Sequence, residues 1–338
     1  MAQAASRRNR VLQVSVAWLA ISLIGGSAVQ AAEESVSLVV SPQQVTLAGN
    51  LARLQLQVTG TDGQGRKFDL TRAASYTLSN PGIATVSKTG AVVPLASGAG
   101  KIRVQHGGQS VEVPIAITDF LPQPRVSFRR DVMPILSRAG CNQGACHGAQ
   151  FGKGGMKLSL LGFAPERDHA PLVREHQSRR VSLLKSDDSL ILRKALLEIG
   201  HGGGRRFRRG SFDHQVLTAW LETGAAAPET KEPEVVDVTL LPEERTYRVE
   251  EGQQLRVIAH YSDKTTRDVT LTARYDPLNE GIATVAPGGY ITAVGPGQAA
   301  VMVRYQGQAK VSQVMSPFKE SVDLAGFQPK NFVDEHIK

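Results

Sequence analysis

The feature that most constrains this chain is a repeat. Asn80-Pro-Gly-Ile-Ala-Thr-Val86 returns as Asn279-Glu-Gly-Ile-Ala-Thr-Val285, Gly98-Ala-Gly-Lys-Ile-Arg-Val104 as Gly295-Pro-Gly-Gln-Ala-Ala-Val301, and Gln105-His-Gly-Gly-Gln109 as Tyr305-Gln-Gly-Gln308. The offset stays close to 198 residues, and unrelated sequence lies between the copies. Such spacing describes one domain used twice, not a solenoid of stacked units. In the first copy Val36–Val40, Ala52–Val58 and Lys101–Gln105 alternate apolar and polar residues, which predicts strands with one face buried. Glycine-rich turns at 48–50, 60–65 and 98–100 separate them. Short strands at this spacing predict a small β-sandwich over residues 36–118, and the repeat predicts a second over 235–317. Aromatic residues make up only 5% of the chain, with 33 Gly and 17 Pro, which suits small turn-rich β domains better than one large core. Neither copy carries a cluster of acidic residues, Cys or His, so both read as scaffolding.

Between the copies, over residues 121–226, the pattern becomes helical. Val132, Ile135, Leu136 and Ala139 share a helical face. Pro134 is tolerated in a first turn, so this helix is placed from about Asp131. Residues 189–199 have helical spacing behind Asp187 and Asp188, with Gly200 as a stop. Ser211 caps a last helix, 212–223, whose Phe212, Val216, Leu217, Trp220 and Leu221 form one stripe before Gly224.

The chemistry of the chain is concentrated at Gly140-Cys-Asn-Gln-Gly-Ala-Cys-His-Gly148, which holds both cysteines. The haem c attachment signal is Cys-x-x-Cys-His, in which two thiols bond the macrocycle and the imidazole ligates iron. Here Cys141 and Cys146 stand two residues further apart. The expectation is that the extra residues loop out, helped by Gly140 and Gly144. A local disulfide and, less well supported, a zinc site compete with this reading. If haem is held, Cys141 and Cys146 are the thioether donors and His147 the proximal ligand. His201, opening the flexible Gly202-Gly-Gly204 run, is the candidate distal ligand, with Met156 as the alternative. His169, His176 and His214 read as surface residues.

Residues 121–224 carry 17 Lys/Arg against 9 Asp/Glu, a net +8 equal to the excess of the whole chain. Arg205-Arg-Phe-Arg-Arg209 is the densest run. Arg205 and Arg206 are candidate contacts for haem propionates, and the basic surface suits an acidic redox partner protein; a merely solvated surface is the alternative. Nothing matches a nucleic-acid-binding motif. Residues 1–31 read as an export signal, with Arg7, Arg8 and Arg10, the apolar stretch 11–24 and a cleavage site after Ala31. The product would be periplasmic or on the cell surface and not an integral membrane protein.

The repeated segments resemble the bacterial immunoglobulin-like domain, group 2, which implies a non-catalytic sandwich used as spacer or adhesion module. The middle segment resembles the planctomycete-type cytochrome c domain with the wide Cys-x4-Cys-His spacing. That likeness rests on Phe128–Leu136, Gly140–Gly148, Gly152–Leu160, His201–Gly204 and Leu217-x-x-Trp220-Leu-x-x-Gly224-Ala225. Phe327–His336 resembles the opening of a large domain that follows in such proteins, implying the N-terminal part of a larger exported protein. The expected fold is therefore two all-β Ig-like sandwiches flanking a mainly α cytochrome c-like domain, with a C-terminal tail over 318–338. The expected function is an exported protein with one covalent haem c, transferring single electrons rather than catalysing a reaction. The alternatives are a structural or adhesion protein with a disulfide-bonded spacer, and an electron-donating fragment of a larger enzyme.

Overall fold

The computed structural model describes residues 37–319 and 325–337. The export signal over residues 1–31 lies outside them. The first sandwich contains β1 (Ser37–Ser41), β2 (Val45–Ala48), β3 (Leu54–Gln55), β4 (Gln57–Thr61), β5 (Lys67–Asp69), β6 (Ser75–Leu78), β7 (Ala84–Val86), β8 (Ala91–Pro94), β9 (Gly98–His106) and β10 (Gln109–Thr118). Its sheets run β1-β4-β5, β2-β10-β9-β6 and β3-β8-β7. All pairings are antiparallel except β10 with β2, where Ile115 lies opposite Val45.

The second sandwich repeats this strand for strand: β11 (Val235–Leu241), β12 (Glu244–Thr246), β13 (Gly252–Gln254), β14 (Arg256–Tyr261), β15 (Thr266–Asp268), β16 (Arg274–Pro277), β17 (Ala283–Val285), β18 (Tyr290–Ala293), β19 (Gly297–Tyr305) and β20 (Gln308–Ser316). Its sheets are β11-β14-β15, β12-β20-β19-β16 and β13-β18-β17, again with one parallel pair, β12 with β20. Detail repeats as well. The Thr71 hydroxyl accepts from Val58 N and the Thr270 hydroxyl from Val257 N, while Tyr76 and Tyr275 donate to the carbonyls of Thr71 and Thr270. Each sandwich buries its own core, built on Leu56, Val58, Ile102 and Ile115 in one and on Leu255, Val257, Ile291 and Val301 in the other. The alternation in the sequence turns those residues inward because successive strand side chains face opposite ways.

The middle segment has a third core, which includes Phe128, Val132, Ile135, Leu136, Leu192, Leu217 and Trp220. It is not mainly α, and the expected fold class is corrected here. Its α-helices are short: α1 (Met133–Arg138), α2 (Pro165–Val173), α3 (Leu190–Ala195) and α4 (Phe212–Glu222). Loops and turns make up most of the rest. Gly140, Gly152, Gly154, Gly155 and Gly162 all take left-handed backbone conformations, which interrupts any helix between α1 and α2. The molecule is thus predominantly β. A short helix, α5 (Phe332–Ile337), follows the second sandwich. No helix among the described residues is long and apolar enough to cross a membrane.

Candidate ligand-binding site

α1 delivers the chain to the site. Ser127 caps the π turn Phe128–Val132 by accepting from Arg130 N, and Pro134 sits in the first turn of α1, as its missing N–H allows. Gly140, at φ +76°, then reverses the chain. The Cys loop folds back on itself: His147 N donates to Cys141 O at 3.0 Å, while Cys146 N and Gly148 N both donate to Gln143 O, at 2.9 and 3.0 Å. The two extra residues are thus taken up in a closed turn. Gly140 takes a left-handed conformation, whereas Gly144 does not. Asn142 is fully buried, its side chain donating to Ser137 Oγ and its carbonyl accepting from Leu161 N.

This loop forms one wall of a cavity of about 600 Å³. Cys141, Cys146, His147, Met156, His201 and Arg206 all line it. So do apolar residues including Leu136, Leu158, Leu172 and Ile191. The cationic side chains at the wall are Lys153, Arg179, Arg180, Lys194 and Arg206, and no Asp or Glu is among them. An apolar chamber with convergent cations suits an apolar ligand bearing acidic groups. Arg205 is exposed and does not line the cavity, which corrects half of the expected propionate pair. Sequence reasoning missed Arg179, Arg180, Lys153 and Lys194. Adjacent basic residues at 179–180 were the available signal, but nothing local said that they faced the same space as Cys146.

The histidines are the most ordered feature. The rings of His147 and His201 lie 6.5 Å apart between centroids, with their planes 9° from parallel. His147 Nδ1 faces the carbonyls of Lys153 and Met156 at 2.9 and 3.2 Å, and His201 Nδ1 faces that of Gly204 at 2.8 Å. A carbonyl can only accept, so Nδ1 carries a proton in each ring, and Nε2 is the nitrogen whose lone pair the neutral imidazole would offer. Orienting a ligating imidazole through its far nitrogen is how metal-binding histidines are usually held. Burial lowers the His147 pKa, with the His201 charge acting the same way and the two carbonyl bonds opposing, so this ring favours the neutral form. Met156 contributes its carbonyl to the orientation of His147.

The two thiols are not bonded to each other. Burial pushes the Cys141 thiol up to about 12, against the lowering effect of Arg206. His176 is exposed as expected, but His169 and His214 are buried. His169 packs edge-on to Phe128 and Trp220 and bonds Ala225 O through Nε2 at 2.7 Å, which makes it a core residue.

Comparison with known proteins places a Bacterial Ig-like domain match on residues 72–119, inside the first sandwich. No curated protein matches. Among solved structures, domains 4–9 of the surface layer protein SbsC share 13% identity at a TM-score of 0.33, covering 83% of this chain and 31% of theirs. Invasin, a bacterial integrin-binding protein, shares 11% at 0.18, covering 83% and 38%. The Yersinia pseudotuberculosis adhesin InvE shares 10% at 0.19, covering 82% and 58%.

These findings overturn the family expected for the middle segment. The family match falls on the first sandwich and not on the middle segment. Among the described residues no group of three or more His, Cys, Asp or Glu could hold a metal ion. The planctomycete-type cytochrome c assignment, and the haem, iron and electron-transfer roles inherited from it, are withdrawn as family inferences. The geometry of the cavity stands independently of them.

Proposed function

We propose that this chain is an exported structural protein, in which two Ig-like sandwiches serve as scaffold and the segment between them binds a ligand. The duplicated sandwich and the Bacterial Ig-like match support the scaffold. The basic and apolar pattern of residues 1–31 supports export to the periplasm or cell surface.

For the ligand, the facing rings of His147 and His201 carry the reading: it is one haem, held covalently at Cys141 and Cys146. The residues fit such a group in three respects. Two thiols share the cavity wall with both imidazoles, each Nδ1 is engaged by a carbonyl and so leaves Nε2 as the nitrogen for a ligand, and the cationic wall can neutralise carboxylates. Haem bound here would be held by Cys141, Cys146, His147 and His201 and would supply one-electron chemistry. The chain's own part is to keep both Nε2 atoms basic through the carbonyls of Lys153, Met156 and Gly204. The leucine-lined wall restricts water, and Arg206 is held at the cavity by its bond to Ala139 O. The surrounding cations suit an acidic partner protein.

The test is expression with export in a host that matures c-type cytochromes, followed by haem staining of the denatured chain. Stain retained by the wild type and lost in Cys146→Ala is expected. The reduced spectrum of His201→Ala should change from a six-coordinate low-spin form to a high-spin one. A colourless wild type beside a coloured control cytochrome rejects the haem and leaves the purely structural or adhesive reading.

A further inference from the structure

We infer that each sandwich carries a docking face for another sandwich, and that the two faces are joined within this chain by a seam with approximate two-fold symmetry. In an isologous pairing, a contact from one unit to its partner recurs in the opposite direction. Gln55 and Gln254 are equivalent in the repeat, as are Asp69 and Asp268. Gln254 N donates to Asp69 Oδ2 at 2.8 Å, and reciprocally Gln55 N donates to Asp268 Oδ2 at 3.3 Å. Gln57 and Arg256 are also equivalent, and each reaches the residue before the partner's Pro42 or Pro242. Gln57 Nε2 donates to Leu241 O at 3.0 Å, and Arg256 Nη1 to Ser41 Oγ at 3.3 Å.

Each face is prepared by its own sandwich. Gln55 Nε2 is tied to the carbonyls of Leu56 and Thr89, and Gln254 Nε2 to those of Leu255 and Gly288, which turns both main-chain N–H groups toward the seam. Each aspartate accepts at home through Oδ1, from Thr71 N or Thr270 N, and across the seam through Oδ2, which also takes one home bond, from Thr71 Oγ1 in Asp69 and from Arg256 Nε in Asp268. Gln55, Gln57, Gln254 and Arg256 are all at most 9% exposed. A buried polar seam with its groups bonded across it specifies one register, because any slip leaves several of them unpaired.

The symmetry breaks at the edges. Arg245 Nη2 donates to Lys67 O at 2.7 Å, and Gln253 Nε2 to Asp69 Oδ2 at 2.9 Å. The Arg72 guanidinium lies 3.5 Å from the centre of the Tyr290 ring. These contacts have no counterpart across the axis, so the first sandwich is matched to the second rather than to a copy of itself. The sandwiches are therefore clasped face to face and are not beads on an extended string. This inference does not depend on what fills the cavity.

A protease site inserted after Gln123, in the exposed connection between the first sandwich and α1, tests it on the full mature chain. After cleavage, the wild-type pieces should elute together in size exclusion. Gln57→Ala removes side-chain bonds made only to the other sandwich, since Gln57 Nε2 donates to Leu241 O and Gln254 O. It should raise the dissociation constant of the cut pieces at least tenfold. Gln57→Glu, which opposes a carboxylate to those two carbonyls, should raise it at least a hundredfold. Arg53→Ala removes the stacking of Arg53 on Phe212 and its bonds to Asn50 O and Ala52 O, but no hydrogen bond to the second sandwich, and should change it less than threefold. Circular dichroism of the uncut variants checks folding, and should Gln57→Glu fail it, Gln57→Ala decides. Pieces that separate in the wild type, or a Gln57→Ala that holds as tightly as wild type, overturn the seam.

Discussion

His147 and His201 reach one cavity by different local means. His147 is placed by the closed Cys loop, and His201 by a turn in which Gly204 N bonds back to His201 O. The motif made His147 legible, and the glycine run after His201 was a fair signal for the second ring. Burial could not be read locally. Desolvation at the cavity wall, where Cys141 is half-buried, holds the thiol protonated and makes it a poor nucleophile, because only thiolate reacts. In reduced chain made without export, iodoacetamide at pH 8 should modify Cys141 at least about a hundredfold more slowly in the folded protein than in denaturant. Peptide mass mapping measures this, and equal rates would mean that the thiol is accessible. The hairpin that presents the Lys153 and Met156 carbonyls depends on Gly152. That residue has φ +66°, and a Cβ there would lie 2.1 Å from Met156 O. Gly152→Ala should cost about 2–4 kcal/mol in denaturant unfolding. Gly154→Ala, equally left-handed but with nothing within 4 Å of its Cβ, should cost only about 1–2 kcal/mol.

At the scale of elements, the helix legible in fullest detail is α4. Its predicted stripe is the buried face: Val216, Leu217, Trp220 and Leu221 are fully buried, and Ser211 Oγ accepts from His214 N as the cap. Phe212 remains half-exposed beneath Arg53. Trp220 packs on Phe128, with ring centroids 5.3 Å apart, and its Nε1 donates to Ala226 O at 3.0 Å. Trp220→Ala should therefore destabilise the chain by about 3–5 kcal/mol in denaturant unfolding, and a cost below about 1 kcal/mol would contradict this packing. The helix expected over 189–199 is cut to α3 because Leu197 takes a left-handed conformation, φ +61°. Arg206 N then bonds Ala195 O, drawing the His201 loop against the cavity. Apolar spacing continues through Leu196 and Leu197, so the pattern alone could not mark that break. α2 went unread because Pro165 and Pro171 disguise it, although proline at a helix start is favourable.

For the whole molecule, the sequence by itself determined the repeated strand and turn pattern of the two sandwiches and the spacing of the Cys141–His147 motif. Those features are local: strand alternation, turn glycines and spacing repeat wherever the same chain segment recurs. The 199-residue equivalence of Gln55 with Gln254 and Asp69 with Asp268 was also present in the sequence. That these residues face one another was not, since equivalent positions in two domains need never meet. Only the tertiary structure decided that pairing. It also decided that Asp131, at the start of the predicted first helix, is held by Arg267 of the second sandwich at 2.8 Å. In the same way it turned a basic, glycine-rich middle stretch into one cavity shared by Cys141, Cys146, His147 and His201. Convergence of that kind comes from the packing of residues distant along the chain, and no periodicity in a sequence encodes which distant loops will share a wall.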